Sequence, residues 1–136
     1  MSAYEHRTVK FQLRHKDHLI NALRTEGYTN VEYHQVPAAL CDYTGKLTNV
    51  CANVIIRRKH IGSLSNDVGY LFSKSGSECY LHVSDYDKVR QFDDAVQGRI
   101  MRNYASELLR QTISENRHTV EEFTTTQDGC HVLIQV

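Results

Sequence analysis

The stretch Val68-Gly-Tyr-Leu-Phe-Ser-Lys-Ser-Gly-Ser-Glu-Cys-Tyr-Leu-His-Val-Ser84 decides the fold class. Val68, Tyr70 and Phe72 recur at every second residue, the period that places side chains on one face of a strand. Lys74 to Ser77 is a short polar break with a glycine in it, and Cys79 to Ser84 resumes a strand-like run. Two runs joined so closely predict a β-hairpin, because only antiparallel strands can be linked by so short a turn.

Upstream, Cys51 to Arg58 is rich in β-branched residues and predicts another strand, followed by a polar loop over residues 59–66. Val9, Phe11 and Leu13 alternate with Thr8, Lys10 and Gln12, which predicts a half-buried strand over 8–13. Leu19, Ile20 and Leu23 have helical spacing and Asp17 favours the helix start. Gly27 suits the C′ position, where left-handed backbone costs glycine little. A strand over about 30–36 is expected to stop at Pro37, which lacks a ladder N–H. Residues 38–50, with Asp42, Gly45 and Asn49, read as a loop.

Downstream the period lengthens. Phe92, Val96, Ile100, Tyr104, Leu108 and Ile113 predict one long helix over about 91–117, its apolar face laid across the sheet. Asp93 and Asp94 oppose the helix dipole at its start. Gly98, inside that helix, costs roughly 1 kcal/mol against Ala; it marks either a close helix–sheet contact or nothing in particular. Residues 119–126 and 130–136 read as a tail hairpin through Gln127-Asp-Gly129. The sum is a single α+β domain over residues 1–136. It is expected to have a mainly antiparallel sheet of about six or seven strands, with two helices packed on one face.

Composition agrees. The chain has 136 residues, 40% hydrophobic and 24% charged, which is enough to bury a core and excludes disordered, collagen and coiled-coil classes. Sixteen basic residues balance sixteen acidic ones, so a protein that coats nucleic acid or anionic membrane by bulk charge is excluded. The polar start Met-Ser-Ala-Tyr-Glu-His-Arg and the lack of a run approaching roughly 18 apolar residues lead us to expect a cytoplasmic protein without membrane contact. The four cysteines, Cys41, Cys51, Cys79 and Cys130, contain no Cys-x-x-Cys and are expected as free thiols.

No motif announces chemistry. His15 and His18 share a helix face but lack further ligands, and Cys79 with His82 would fall on opposite faces of a strand. There is no glycine-rich phosphate loop, and neither a metal nor a cofactor is expected. The basic residues carry the strongest signal. Arg57-Arg58-Lys59-His60 forms a compact cluster at a strand end. Arg99 and Arg102 are helix neighbours with no acidic residue three or four positions away, and Arg110 follows on roughly the same side. Such patches grip a phosphate, a nucleotide or an acidic protein surface; the plainer alternative is a solvated face, or pairing with Glu121 and Glu122.

Several segments taken in order resemble the hypothetical chloroplast reading frame thirty-five family, also described as domain of unknown function twelve fifty-seven. They are Leu19–Leu23 with Gly27-Tyr28, Val54-Ile-Ile-Arg-Arg58, Asp67-Val-Gly-Tyr70, Arg99 to Ala105, and Val120-Glu-Glu122 to Asp128-Gly129. The resemblance spans nearly the whole chain. It departs at Ser2-Ala3-Tyr4, where the family has Ser-His-Phe, and in an enlarged loop between Arg58 and Asp67, as in a divergent phage-encoded member. It implies an α+β fold and brings no activity, cofactor or site. The leading functional expectation is therefore a non-enzymatic protein-binding or adaptor module, acting through a sheet edge, the basic loop or the long helix. Second comes a binder of a small phosphorylated ligand, nucleotide or short nucleic acid at Arg58, Arg99 and Arg102; for ligand or partner alike the candidate residues are Arg57, Arg58, Lys59, His60, Arg99 and Arg102. A Cys- or His-dependent hydrolase is third. Exposed sheet edges leave homo-oligomerisation open.

Overall fold

The computed structural model describes residues 3–116, so the tail hairpin expected over 119–136 lies outside them. Five strands form one sheet: β1 (Tyr4–Val9), β2 (Val31–Cys41), β3 (Leu47–Ile56), β4 (Val68–Phe72) and β5 (Cys79–Ser84). Their order is β1-β5-β4-β3-β2, and every neighbouring pair is antiparallel. Three helices accompany them: α1 (Lys16–Thr25), the single turn α2 (Asp85–Lys88) and α3 (Asp94–Glu115). The α+β class is as expected, with five described strands rather than six or seven and three helices rather than two. No helix among the described residues is long and apolar enough to cross a membrane.

Local chemistry sets the boundaries. Gly27, at φ +116°, closes α1 with the paired bonds Tyr28 N–H to Leu23 O (3.0 Å) and Gly27 N–H to Arg24 O (2.9 Å), the arrangement a C′ glycine permits. The Asp93 carboxylate caps α3 by accepting from Val96 N–H at 3.0 Å. The first strand begins at Tyr4 rather than residue 8 and ends at Val9, opposite the start of β5 at Cys79. Phe11 still fills the core, edge-on to the rings of Tyr70 and Tyr104. The Leu13 backbone meanwhile turns away to bond Gly76 O at 2.9 Å.

The hairpin β2–β3 departs most from expectation. Pro37 does not end β2, and residues 38–50 are not a loop: they carry β2 on to Cys41, a tight turn at 42–46 and the first half of β3. Pro37 is tolerated because β2 is the edge of the sheet among the described strands and the ladder is broken around it. Tyr33 pairs with Val54 and Ala38 with Ala52, so four residues of β2 stand opposite Asn53 alone. The buried Asn53 amide replaces the lost ladder bonds. Its Nδ2 donates to His34 O (2.9 Å) and Gln35 O (3.3 Å), while its Oδ1 accepts from Phe72 N–H (2.9 Å).

At that corner the hairpin folds back across the sheet. A straight strand of ten residues would end about 33 Å away, yet Cys41 N–H at the tip donates to the Asp67 carboxylate at 2.7 Å, next to the start of β4. The returning arm seats Leu40 and Ala52 with Ile55 against the sheet face that carries no helix. Gly69 admits it, because a Cβ there would lie 2.4 Å from the Ala52 Cβ. The opposite face packs Val54, Ile56, Tyr70, Leu81 and Val83 against α1 and α3, through Leu19, Leu23, Ile100 and Tyr104. Gly98 of α3 marks no close approach to the sheet, since a Cβ there would meet only Arg102 Nη1, at 3.5 Å.

Candidate functional site

The basic cluster sits where the returning arm meets the sheet, and its first member faces inward. Arg57 binds Glu32 through two parallel bonds (Nε to Oε2 and Nη2 to Oε1, both 2.9 Å), and Nη1 reaches Asp67 Oδ2 at 2.8 Å and Ala39 O at 3.1 Å. The guanidinium holds the Glu32 carboxyl down to about 2. Asp67 is fully buried, and also accepts from the backbone N–H groups of Cys41 and Arg58, each at 2.7 Å. Tyr4 closes the site by donating its hydroxyl to Asp67 O at 2.7 Å, and burial followed by the Asp67 charge raises that phenol far above its usual range. Arg57 therefore clamps β2, the arm and the start of β4, and offers no anion a free fork.

The remaining expected residues are dispersed. Arg58 spends its guanidinium on three carbonyls, Tyr43 O (2.6 Å), Ser63 O (3.1 Å) and Ser65 O (3.0 Å). Lys59 and His60 are exposed on the rim of a shallow depression of about 480 Å³, whose lining includes Glu32. Arg99 does have an acidic partner, supplied from the end of α1: Glu26 receives its Nε and Nη2 at 2.9 and 2.7 Å. Arg102 is exposed and forms no ion pair among the described residues. The six residues do not converge on one site; Arg57 to His60 and the α3 arginines belong to different surfaces.

What Arg58 does create is a defined arm tip. By bonding Tyr43 O and Ser63 O together it ties residues 42–46 to the loop before β4, and Asn66 Oδ1 adds a bond from Tyr43 N–H at 2.8 Å. Asp42 shapes the turn itself, accepting from Thr44 N–H (2.9 Å) and Lys46 N–H (3.1 Å), with Gly45 at φ +85°. On this braced end Tyr43, Leu47 and Leu64 stand 39%, 66% and 59% exposed. Sequence reading passes over them because each is a lone apolar residue in a polar stretch, and only the fold-back ties the turn at 42–46 to the loop that carries Leu64. The available signal was the pattern Asp42-x-x-Gly45, which marks a tight turn rather than a long loop.

Burial governs two of the described cysteines and one histidine. Burial pushes the Cys79 thiol up to about 12 and raises that of Cys41, the reverse of nucleophile activation. His6 and His82 are cross-strand partners with their Nδ1 atoms in direct contact. Burial, and then the neighbouring His6, lowers His82 to about 4, so it is neutral near pH 7. Cys79 and His82 do lie on opposite faces of β5, the thiol in the helix-side core. Among the described residues no group of three or more His, Cys, Asp or Glu side chains is placed to hold a metal ion. No family model, curated protein or solved structure matches the chain.

Proposed function

We propose that the domain is a non-enzymatic binding module that takes a protein partner at the tip of the β2–β3 arm. The observation that carries this reading is the exposed trio Tyr43, Leu47 and Leu64 on a tip braced by Arg58 and Asp42. Bracing matters energetically, since a contact surface ordered before binding loses less conformational freedom on association. Tyrosine and arginine are also the residue types that dominate interface energetics. Arg58 is bonded to carbonyls and so keeps its full positive charge, and exposed Lys46 adds to it. The partner surface that fits is apolar with an acidic fringe.

Membership of the chloroplast reading frame thirty-five family is part of the same proposal. The segments that carry that resemblance include Arg57, Arg58, Asp67 and Gly69, which here build the clamp and admit the arm. Motifs of that kind report architecture, in keeping with a module whose distinctive feature is a folded-back arm. The phosphorylated-ligand reading loses support at Arg57 and Arg99, whose guanidinium groups are already held by carboxylates.

A photo-crosslinking residue placed at Leu64, with a second placed at exposed Val89 as control, tests the proposal. The expected result is a discrete adduct from position 64 only, lost when Tyr43 and Leu47 are changed to Ser. Identical adducts from both positions, adducts insensitive to Y43S/L47S, or an adduct to a second copy of the chain alone would each overturn it.

A further inference from the structure

The corner that turns the arm also opens a cleft of about 690 Å³, within the range that accommodates small ligands. It exists because four residues of β2 bow out opposite Asn53, leaving the end of β4 without a close neighbour on that side among the described strands. Leu13, Leu71 and Phe72 give it apolar walls, and Lys16, Tyr33 and Lys74 give it polar ones. Among the described residues no acidic side chain lines it and neither lysine is in an ion pair. Lys16, the first residue of α1, is partly buried, with its ammonium 5.3 Å from the centre of the Tyr33 ring. Asn53 has both ends of its amide engaged in holding the corner, so the cleft is braced from behind.

We infer that this corner cleft binds a small amphipathic anion: an apolar body carrying one phosphate or carboxylate group. The two ammonium groups attract the head, while the Leu71 and Phe72 walls shelter the body from water. Neither element suffices alone, because exposed lysines hold inorganic anions weakly in salt and the walls have no preference for charge. The inference is independent of the arm-tip reading. The tip lies by the start of β4 and the cleft by its end, and the two use no residue in common.

The test is an NMR titration of the isotope-labelled full chain at low salt with two probes, phenyl phosphate and octanoate. Inorganic phosphate and benzyl alcohol serve as the head-only and body-only controls. Saturable shifts are expected at the amides of Tyr33, Gln35 and Leu71 to Lys74, at least tenfold tighter for one or both amphipathic probes than for either control. Phosphate and carboxylate heads are distinguished by which probe binds. K16Q/K74Q should weaken binding about tenfold, and raising the salt should weaken it further. K74Q alone, in an exposed turn, should give an intermediate loss while keeping the wild-type unfolding midpoint. The inference is overturned if neither probe shifts those amides at millimolar concentration, if inorganic phosphate binds as well, or if K16Q/K74Q leaves affinity unchanged.

Discussion

Gly69→Ala tests the folded-back arm more directly than any other substitution. A Cβ on Gly69 would sit 2.4 Å from the Ala52 Cβ and 3.1 Å from Leu40 Cδ2. Carbon atoms in contact settle at about 3.5–4.0 Å, so Ala52 must retreat by roughly 1 Å or more. Its Cβ is fixed to the backbone and has no rotamer to escape into, which means the arm itself must lift and loosen Leu40, Ala52 and Ile55 from the sheet. Overpacking of this kind costs about 1–3 kcal/mol, against which removing a glycine from regular structure returns about 0.5–1 kcal/mol. The expected net loss is on the order of 1–2 kcal/mol, read as a lower urea midpoint for the full chain. Ala52→Gly removes the colliding atom, so the double variant should recover stability and give a coupling energy of about 1 kcal/mol or more. Gly98→Ala is the internal contrast: its Cβ meets only a flexible arginine tip, and the helix should gain about 1 kcal/mol. A G69A chain as stable as wild type, or a strictly additive cycle with A52G, would show that the arm does not rest on Gly69.

Two further outcomes are expected. Asn53→Ala leaves the buried Phe72 N–H and two β2 carbonyls without their partners, and should cost about 2–3 kcal/mol by denaturant titration; a loss below about 0.5 kcal/mol would mean the corner holds without it. His82, only 6% exposed and lowered to about 4, is a pH sensor of known sign. The unfolded chain takes up that proton below about pH 6.5 while the folded one resists until about 4, so stability falls as pH drops through this window and the effect levels off beneath it. The difference between wild type and H82Q should therefore change by on the order of 2–3 kcal/mol between pH 7 and 4, and parallel curves would refute the assignment.

Much of this fold could be read along the chain because its causes are local. Alternation at Val68, Tyr70 and Phe72 gave β4, the glycine at 27 gave the end of α1, and Asp93 gave the start of α3. The arm could not be read this way. Its course depends on Asn53 serving β2 and β4 at once, on the absence of a side chain at Gly69, and on Asp67 meeting Cys41 from 26 positions away. Each is a non-local match involving a polar or small residue, to which a hydrophobic period is blind. Pro37 misled for the same reason, since a proline ends a strand only where its N–H is required. The arginines misled differently: Arg57 finds Glu32 and Asp67 25 and 10 positions away, and Arg99 finds Glu26 73 positions away, beyond the helical spacing at which that arginine has no acidic neighbour.

The zero net charge is thus a local property as well as a sum. Arg57 is matched by Glu32 and Asp67, Arg99 by Glu26, and Arg7 and Lys88 share Glu5. Arg57 stands beside Arg58 in the sequence and Arg99 three positions before Arg102, yet both guanidinium groups face carboxylates in space. The corner cleft is arranged the other way. Lys16 and Lys74 are 58 positions apart, and the fold brings both to a lining that holds no carboxylate among the described residues. An anion within a Debye length of about 8 Å at physiological ionic strength responds to that local excess and hardly at all to the total. Electrostatic recognition on this protein should then follow the supply of nearby acidic partners, and a count of basic residues along the chain points to the arginines that have the least charge to offer.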